Sequence, residues 1–255
     1  MDRATVFGEV ADTYDRLRPR YPDAMFEDLM ATAGLTSGAA VLEIGAGTGI
    51  ATEGLLDRGL EVTVVEPDPR MLVIARRRLA ARRFRIVEGR FEDVESGSFD
   101  VVFAAGSWHW VDPEKGIPRA AGLLASGGSL ALAWNLPRPE TLPRPAGLDK
   151  AYRANAPELA EAASQVRNRR QDHRRHAVVA SKLFREPTDF HYRWTRTLAT
   201  QEYCNLLATH SDHRMLGPER LQRLLSAVAG RVDAHGGTIE LAYETVMYVA
   251  RRLAG

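Results

Sequence analysis

Five short, largely apolar runs set the plan of the first half of the chain. They are Val41–Ile44, Glu61–Glu66, Arg85–Glu88, Phe99–Ala104 and Ser129–Trp134, each too short for a helix and bounded by turn residues. Between them, segments near 48–58, 69–82 and 113–125 carry apolar residues at helical spacing. Runs without a wet face, alternating with helices, predict a parallel sheet covered on both sides. Right-handed crossovers then put a ligand crevice at the carboxyl ends of the strands. Ahead of the sheet, Phe7, Val10, Ala11, Tyr14 and Leu17 share one face of a helix predicted over Ala4 to Arg18. A second helix is expected from about Asp23 to Ala33, ending at Gly34. The stretch between them, Arg18-Pro-Arg-Tyr-Pro22, must run extended, because a proline biases its predecessor away from the helical region. Together these pieces read as a lid over the sheet.

The pattern breaks after Asn135. Leu136 to Pro145 carries prolines at 137, 139, 143 and 145 and reads as an irregular connection. Residues from about 146 to 185 look helical but poorly amphipathic, rich in arginine and histidine. Phe190 to Leu198 alternates aromatic or apolar with polar residues, as a half-buried strand does. Helices follow around 201–208 and 218–230, and Thr238 to Ala250 closes the chain as a long strand. The expected division is a core with N-terminal lid helices over 1–135, an inserted helical cap over 136–187, and completion of the sheet over 188–255.

Composition removes some classes of function. At 255 residues, with 45% hydrophobic and 26% charged residues, the chain reads as one soluble globular domain with an insertion. A net charge of +1 gives no bulk field for nucleic acid or membrane. The start resembles no signal peptide, and no long uncharged apolar segment is present, so a cytoplasmic location is expected. Arginine far outnumbers lysine, which hints at a GC-rich bacterial genome. The single Cys204 excludes an internal disulfide and a cysteine-rich metal site, and His173 and His176 lack carboxylate or thiol neighbours, so no metal is expected.

Candidate chemistry centres on Glu43-Ile-Gly45-Ala46-Gly47-Thr-Gly49, which joins an apolar run to a helical pattern. Glycines allow positive φ and let a ligand lie against bare backbone, and the helix behind them offers free amides. A dinucleotide fold would need a small residue where Ile50 stands, and a diphosphate would not welcome the Glu43 carboxylate. An α-ammonium group would. A second acid, Glu66, ends the next strand, placed to accept both hydroxyls of a ribose. This pair of acids around a G-x-G-x-G turn resembles the class I S-adenosylmethionine-dependent methyltransferases. The resemblance implies S-adenosylmethionine as cofactor and a Rossmann-like seven-stranded α/β sheet with helices on both faces. It also implies a last strand that is antiparallel and inserted between the fifth and sixth, with the cap after the fifth strand. An NAD(P)-dependent oxidoreductase and a non-catalytic cofactor-binding protein are the alternatives.

The same resemblance assigns further residues. Pro67 and Met71 offer apolar faces to the adenine, and Phe91 and Glu92 supply an amide and a carboxylate to it. Many relatives carry aspartate where Arg90 stands, which leaves the exocyclic amine to Glu92 or a carbonyl. The backbone around Ala105 faces the methionine portion. Asp100 reads as structural. Trp108-His109-Trp110, with the Phe7-Gly8…Tyr14…Arg18-Pro-x-Tyr21-Pro opening, resembles the trans-aconitate-methyltransferase-like small-molecule group. Arg18, Tyr21, Trp108 and Trp110 are thus expected to shape the acceptor site. His109 and Tyr14 are the candidate catalytic groups, His109 because a free imidazole titrates near neutral pH. The arginine-rich Arg167–His176 could clamp an anion or form a solvated face. Expected partners are a small-molecule acceptor, with a carboxylate attractive, and neither nucleic acid nor membrane; a homodimer is left open.

Overall fold

The computed structural model describes residues 11–138, 141–142, 145–160 and 169–253. Within the helices, the side chains of Ala11, Tyr14 and residues 169–172 lie outside this description, as do Phe7 and Val10. Two N-terminal helices, α1 (Ala11–Leu17) and α2 (Asp23–Ala33), precede β1 (Ala40–Ile44). Then come α3 (Ile50–Asp57), β2 (Glu61–Glu66), α4 (Pro69–Arg78), β3 (Arg85–Glu88), β4 (Phe99–Ala105), α5 (Pro113–Leu123) and β5 (Leu124–Pro137). The second half holds α6 (Leu148–Asn155), α7 (Arg169–Ala180), β6 (Thr188–Ala199), α8 (Thr200–Ala208), α9 (Ser211–Arg214), α10 (Pro218–Asp233) and β7 (Thr238–Arg251).

Seven strands form one sheet in the order β3-β2-β1-β4-β5-β7-β6. The first five are mutually parallel, and β7 runs antiparallel between β5 and β6, the arrangement that the resemblance implies. Alternate residues along each strand feed opposite cores. Leu42, Val102, Leu130 and Leu132 pack under α5 and α7 with Trp108 and Val178. Val41, Val64, Phe103, Ala131 and Met247 pack under α2, α3 and α4 with Phe26, Leu55 and Leu72. Every one of these strand residues is at most 2% exposed, which is why the strands show no polar alternation in sequence.

A third cluster gathers α1, α6, α8 and α10 through Leu17, Leu148, Leu206, Leu224 and Val228. Residues expected as the cap therefore make two kinds of contact. α6 joins this third cluster, whereas α7 lies on the sheet beside α5, with Val178 in the core. The described part of the arginine-rich stretch braces that position. Arg175 donates to Asp189 and Glu186, and the Arg174 guanidinium sits 5.7 Å from the centre of the Trp134 ring. β5 is longer than its apolar run predicts at both ends: its amino end pairs with Phe99 before the register shifts at Val101, and its carboxyl end stays paired with β7 through Leu136 and Pro137, residues expected in the irregular connection.

Asp100 has a structural task, since its carboxylate accepts the Ala40 amide at 2.8 Å where β1 begins. Asp100→Ala is expected to lower stability by about 1 kcal/mol, the ordinary worth of one such bond. Ligand affinity should be unchanged; denaturant unfolding and calorimetry together check both halves of that statement.

Candidate functional site

The carboxyl ends of β1, β2 and β4 open onto a cleft of about 350 Å³. The glycine turn forms its floor. Gly45, Gly47 and Gly49 all have positive φ, at 65°, 59° and 81°, but each is there for a different reason. A Cβ on Gly45 would lie 2.5 Å from the Ser107 Cβ, because Ser107 donates its hydroxyl to the Ile44 carbonyl and draws the β4 exit against β1. Gly49 starts α3, and a Cβ there would press on Leu79 at 3.0 Å. Only at Gly47 is the space open, and it lines the cleft.

Four of the turn's amides are not offered to an anion. The Gly45 and Ala46 amides donate to the Val65 carbonyl at 2.7 and 3.3 Å, and Gly49 donates to Ala46 at 3.0 Å. Gly47 donates to the Glu66 carboxylate at 2.9 Å. A diphosphate site needs those hydrogens pointed at the ligand, and here the turn spends them on itself and on β2.

The cleft instead presents acids. Glu43 is 1% exposed and lines it, with one carboxylate oxygen accepting from the Thr52 hydroxyl at 2.6 Å. Burial pushes its pKa up to about 8; the Thr52 bond opposes this and the nearby Glu66 adds to it. No arginine or lysine among the described residues pairs with it, so a buried carboxyl faces a ligand-sized space with no protein cation to neutralise it. Glu66 uses one oxygen for Gly47 and the other for the Asp68 amide at 3.0 Å. Burial lifts it to about 6, against those two bonds. These features fit a ligand that carries a cation at one end and a hydroxylated ring in the middle.

Other expected residues fall at the same cleft. Pro67, Met71, Phe91, Glu92 and Ala105 line it, with Met71 4% and Phe91 3% exposed. Residues 91–93 form a single 3₁₀ turn that Asp93 closes by accepting the Arg90 amide at 2.7 Å, which leaves Glu92 exposed at the cleft. Arg119 of α5 holds this turn from behind through the carbonyls of Phe91 and Val94. Arg18, Tyr21, His109 and Trp110 line the far end. Two expected residues do not reach the cleft wall. Trp108, 1% exposed, is turned into the core, 6.0 Å from the Phe91 ring, because a one-turn 3₁₀ helix sends 108 inward and 109 and 110 outward. Gly49 lies behind the wall, as described. The Tyr14 side chain is outside the described set.

Sequence reasoning missed Thr52, Ile50, Trp134 and Asn135. Thr52 stands one helical turn behind the glycine turn, a spacing that could have marked it as the partner of Glu43. Trp134 and Asn135 sit at the carboxyl end of β5, the edge where ligands are expected. A separate trio, His210, Asp212 and His213, has the residue types of a metal site. Both His213 ring nitrogens are already engaged, by Asp212 at 2.7 Å and the Tyr152 hydroxyl at 3.0 Å, and these bonds account for the cluster.

Comparison with known proteins points to the same fold. Residues 42–132 match the family described as methyltransferase domain. An uncharacterised methyltransferase of Mycobacterium tuberculosis is 38% identical over 134 residues, which cover 52% of this chain and 54% of that protein. The 2-methyl-6-phytyl-1,4-hydroquinone methyltransferase 1 of Oryza sativa subsp. japonica is 35% identical over 100 residues, 37% of this chain and 30% of its own. The chain thus spans about half the length, or less, of these relatives. Among solved structures, a candidate type II methyltransferase from Anaeromyxobacter dehalogenans superposes with a TM-score of 0.66 at 20% identity, over 93% of this chain and 99% of that one. Phosphoethanolamine N-methyltransferase 2 of Haemonchus contortus, solved with S-adenosyl-L-methionine, gives 0.57 at 16% identity, over 99% of this chain and 59% of that one. At such identities the likeness concerns the fold. Residues 42–132 thus match the methyltransferase domain family, and they lie within a seven-stranded sheet of the methyltransferase fold.

Proposed function

We propose that the cleft binds S-adenosylmethionine and that the protein transfers its methyl group to a small-molecule acceptor. The observation that carries this reading is the buried Glu43 carboxyl, open to the cleft and with no cation beside it among the described residues. In this reading Glu43 meets the α-ammonium and Glu66 accepts from the ribose diol with its remaining lone pairs. Pro67 and Met71 flank the adenine, and Phe91 and Glu92 meet its edge. When bound, the cofactor supplies a methyl already activated by a sulfonium charge. The chain's own residues then align the acceptor and exclude water, a contribution worth up to about 7–11 kcal/mol in well-oriented cases.

His109, Trp110, Val111, Trp134 and Asn135 surround the far end of the cleft and form the acceptor side. Arg18 at the same end makes an anionic acceptor such as a carboxylate attractive, and an ionised carboxylate needs no general base. The His109 ring lies 4.4 Å from that of Trp110, so the pair forms one wall. His109→Ala is expected to lower kcat about tenfold through lost alignment, with cofactor affinity intact; steady-state kinetics and calorimetry on the same variant check this. The methyltransferase names of the mycobacterial and rice relatives support the activity. An oxidoreductase reading is disfavoured by Ile50 and by turn amides that are not free for a diphosphate. Screening acceptors for release of S-adenosylhomocysteine tests the proposal. Turnover with any acceptor supports it, and a protein that binds the cofactor yet methylates nothing across acids, phenols and amines would be a binder only.

A further inference from the structure

The segment Leu17 to Tyr21 crosses the far end of the cleft. Its side chains hold it on one side, Arg18 donating to the Thr209 carbonyl at 3.1 Å and Arg20 to Glu53 at 2.6 Å, and its carbonyls hold it on the other. Pro19 has no amide hydrogen to give. The Leu17 carbonyl accepts from Arg196 of β6 at 2.7 Å. The Pro19 and Arg20 carbonyls both accept from the Asn135 side-chain amide, at 3.2 and 3.3 Å. Asn135 is itself oriented from behind: its oxygen accepts from the Thr245 hydroxyl at 2.6 Å, and the Thr245 oxygen accepts from the Trp194 indole at 2.9 Å. Trp194 is fixed in turn by stacking on Tyr243, with centroids 4.6 Å apart and planes 16° from parallel.

Each donor and acceptor in this chain has one sense only. The indole N–H can only donate and the strap carbonyls can only accept, so the Thr245 hydroxyl must point at Asn135 and the Asn135 NH₂ must point at the strap. Thr245 is 0% exposed, so water cannot replace it. The strap bears Arg18, Pro19 and Tyr21, all of which line the cleft. A register between β5 and β7 that places Asn135 opposite Thr245 thus reaches the ligand through two polar links.

The strap also borders the methionine portion, since a Cβ on Gly106, next to Ala105, would lie 3.3 Å from the Tyr21 hydroxyl. We infer that Trp194, Thr245 and Asn135 are positioning residues that set the strap where the acceptor side meets the amino-acid end of the bound cofactor. The inference rests on the proposed cofactor site. It predicts that Trp194 and Thr245, which do not line the cleft, control affinity for one half of the cofactor and not the other.

The test compares two ligands on the same variants by calorimetry, well below the melting temperature. S-adenosylhomocysteine carries the amino-acid end, and 5′-methylthioadenosine lacks it. Thr245→Val keeps the shape and breaks the relay; it is expected to weaken S-adenosylhomocysteine by about five- to tenfold, the worth of roughly one buried hydrogen bond, and to leave 5′-methylthioadenosine unchanged. Thr245→Ser should restore the wild-type ratio of the two affinities. Trp194→Phe removes only the first link, so its loss should be smaller and in the same ligand. Equal losses for both ligands, or no loss for either, would overturn the inference. Should Thr245→Val not fold, the same ratio read on Trp194→Phe and Thr245→Ser decides. Failure of the wild-type protein to bind S-adenosylhomocysteine would count against the cofactor assignment instead.

Discussion

Glu43→Gln is expected to make the free protein more stable at pH 8–9 than the wild type while weakening its hold on S-adenosylmethionine. The sign follows from which state keeps the proton. In the folded protein, burial first and the Glu66 charge after it, against the Thr52 bond, raise Glu43 from 4.5 to about 8. In the unfolded chain the carboxyl titrates at its ordinary value. Between those two values the native state holds a proton that the unfolded state has released, so stability falls as pH rises through that window and levels off above it. Glu66, raised to about 6, adds to the decline over the lower part of the window. A shift of this size corresponds to a loss on the order of a few kcal/mol by pH 8–9.

Glutamine has the shape of the acid and can still accept from Thr52, but it carries no charge to desolvate. The wild-type and Glu43→Gln melting temperatures should coincide below the unfolded value of 4.5 and diverge as pH rises through the window, with the variant higher. Parallel curves would show that Glu43 ionises normally in the fold. The same substitution removes the negative charge proposed to meet the α-ammonium, so the variant should gain less thermal stabilisation from added cofactor. A gain in stability with a loss in binding marks a site residue held in a costly environment.

Glu66→Ala is expected to weaken cofactor binding by about 1.5–3 kcal/mol, the range for hydrogen bonds to a charged group, or about ten- to 150-fold. Two effects act together. The proposed bonds to the ribose are lost, and the Gly47 and Asp68 amides lose the carboxylate that now fixes the turn. Glu66→Gln separates them: it keeps one acceptor oxygen but turns an amide donor toward an N–H, so its affinity should fall between the other two. Calorimetry with S-adenosylhomocysteine reads this directly. Unchanged affinity in Glu66→Ala would place the ribose elsewhere.

Much of this site is legible in the sequence because it depends on local chemistry. The strands could be read from continuous apolar runs, since both of their faces are covered. The glycine turn and the acids at 43 and 66 could be read because strand, turn and strand follow one another closely in the chain. What the sequence hides is set by phase and by distant pairing. Trp108 and Trp110 are chemically alike and two positions apart, yet one is core and the other 40% exposed, because a single 3₁₀ turn decides which faces inward. The amides of Gly45, Ala46 and Gly47 look available in sequence; only the approach of Val65 and Glu66 in space shows them spent. The link from Trp194 through Thr245 to Asn135 needs the register of β5, β6 and β7, which no local pattern records. α7 carries a weak apolar face because it contributes little more than Val178 to the core, so its place on the sheet could not be read from periodicity.

The central claim is that a buried carboxyl at 43 awaits the ammonium group of a sulfonium nucleoside. A calorimetric titration with S-adenosylhomocysteine at pH 7, in two buffers of different ionisation enthalpy, tests it most directly. The account predicts binding with a Kd of about 100 μM or tighter, release of close to one proton as Glu43 ionises, and no heat from NAD under the same conditions. Binding of NAD alone, or of S-adenosylhomocysteine with no proton released, would contradict it.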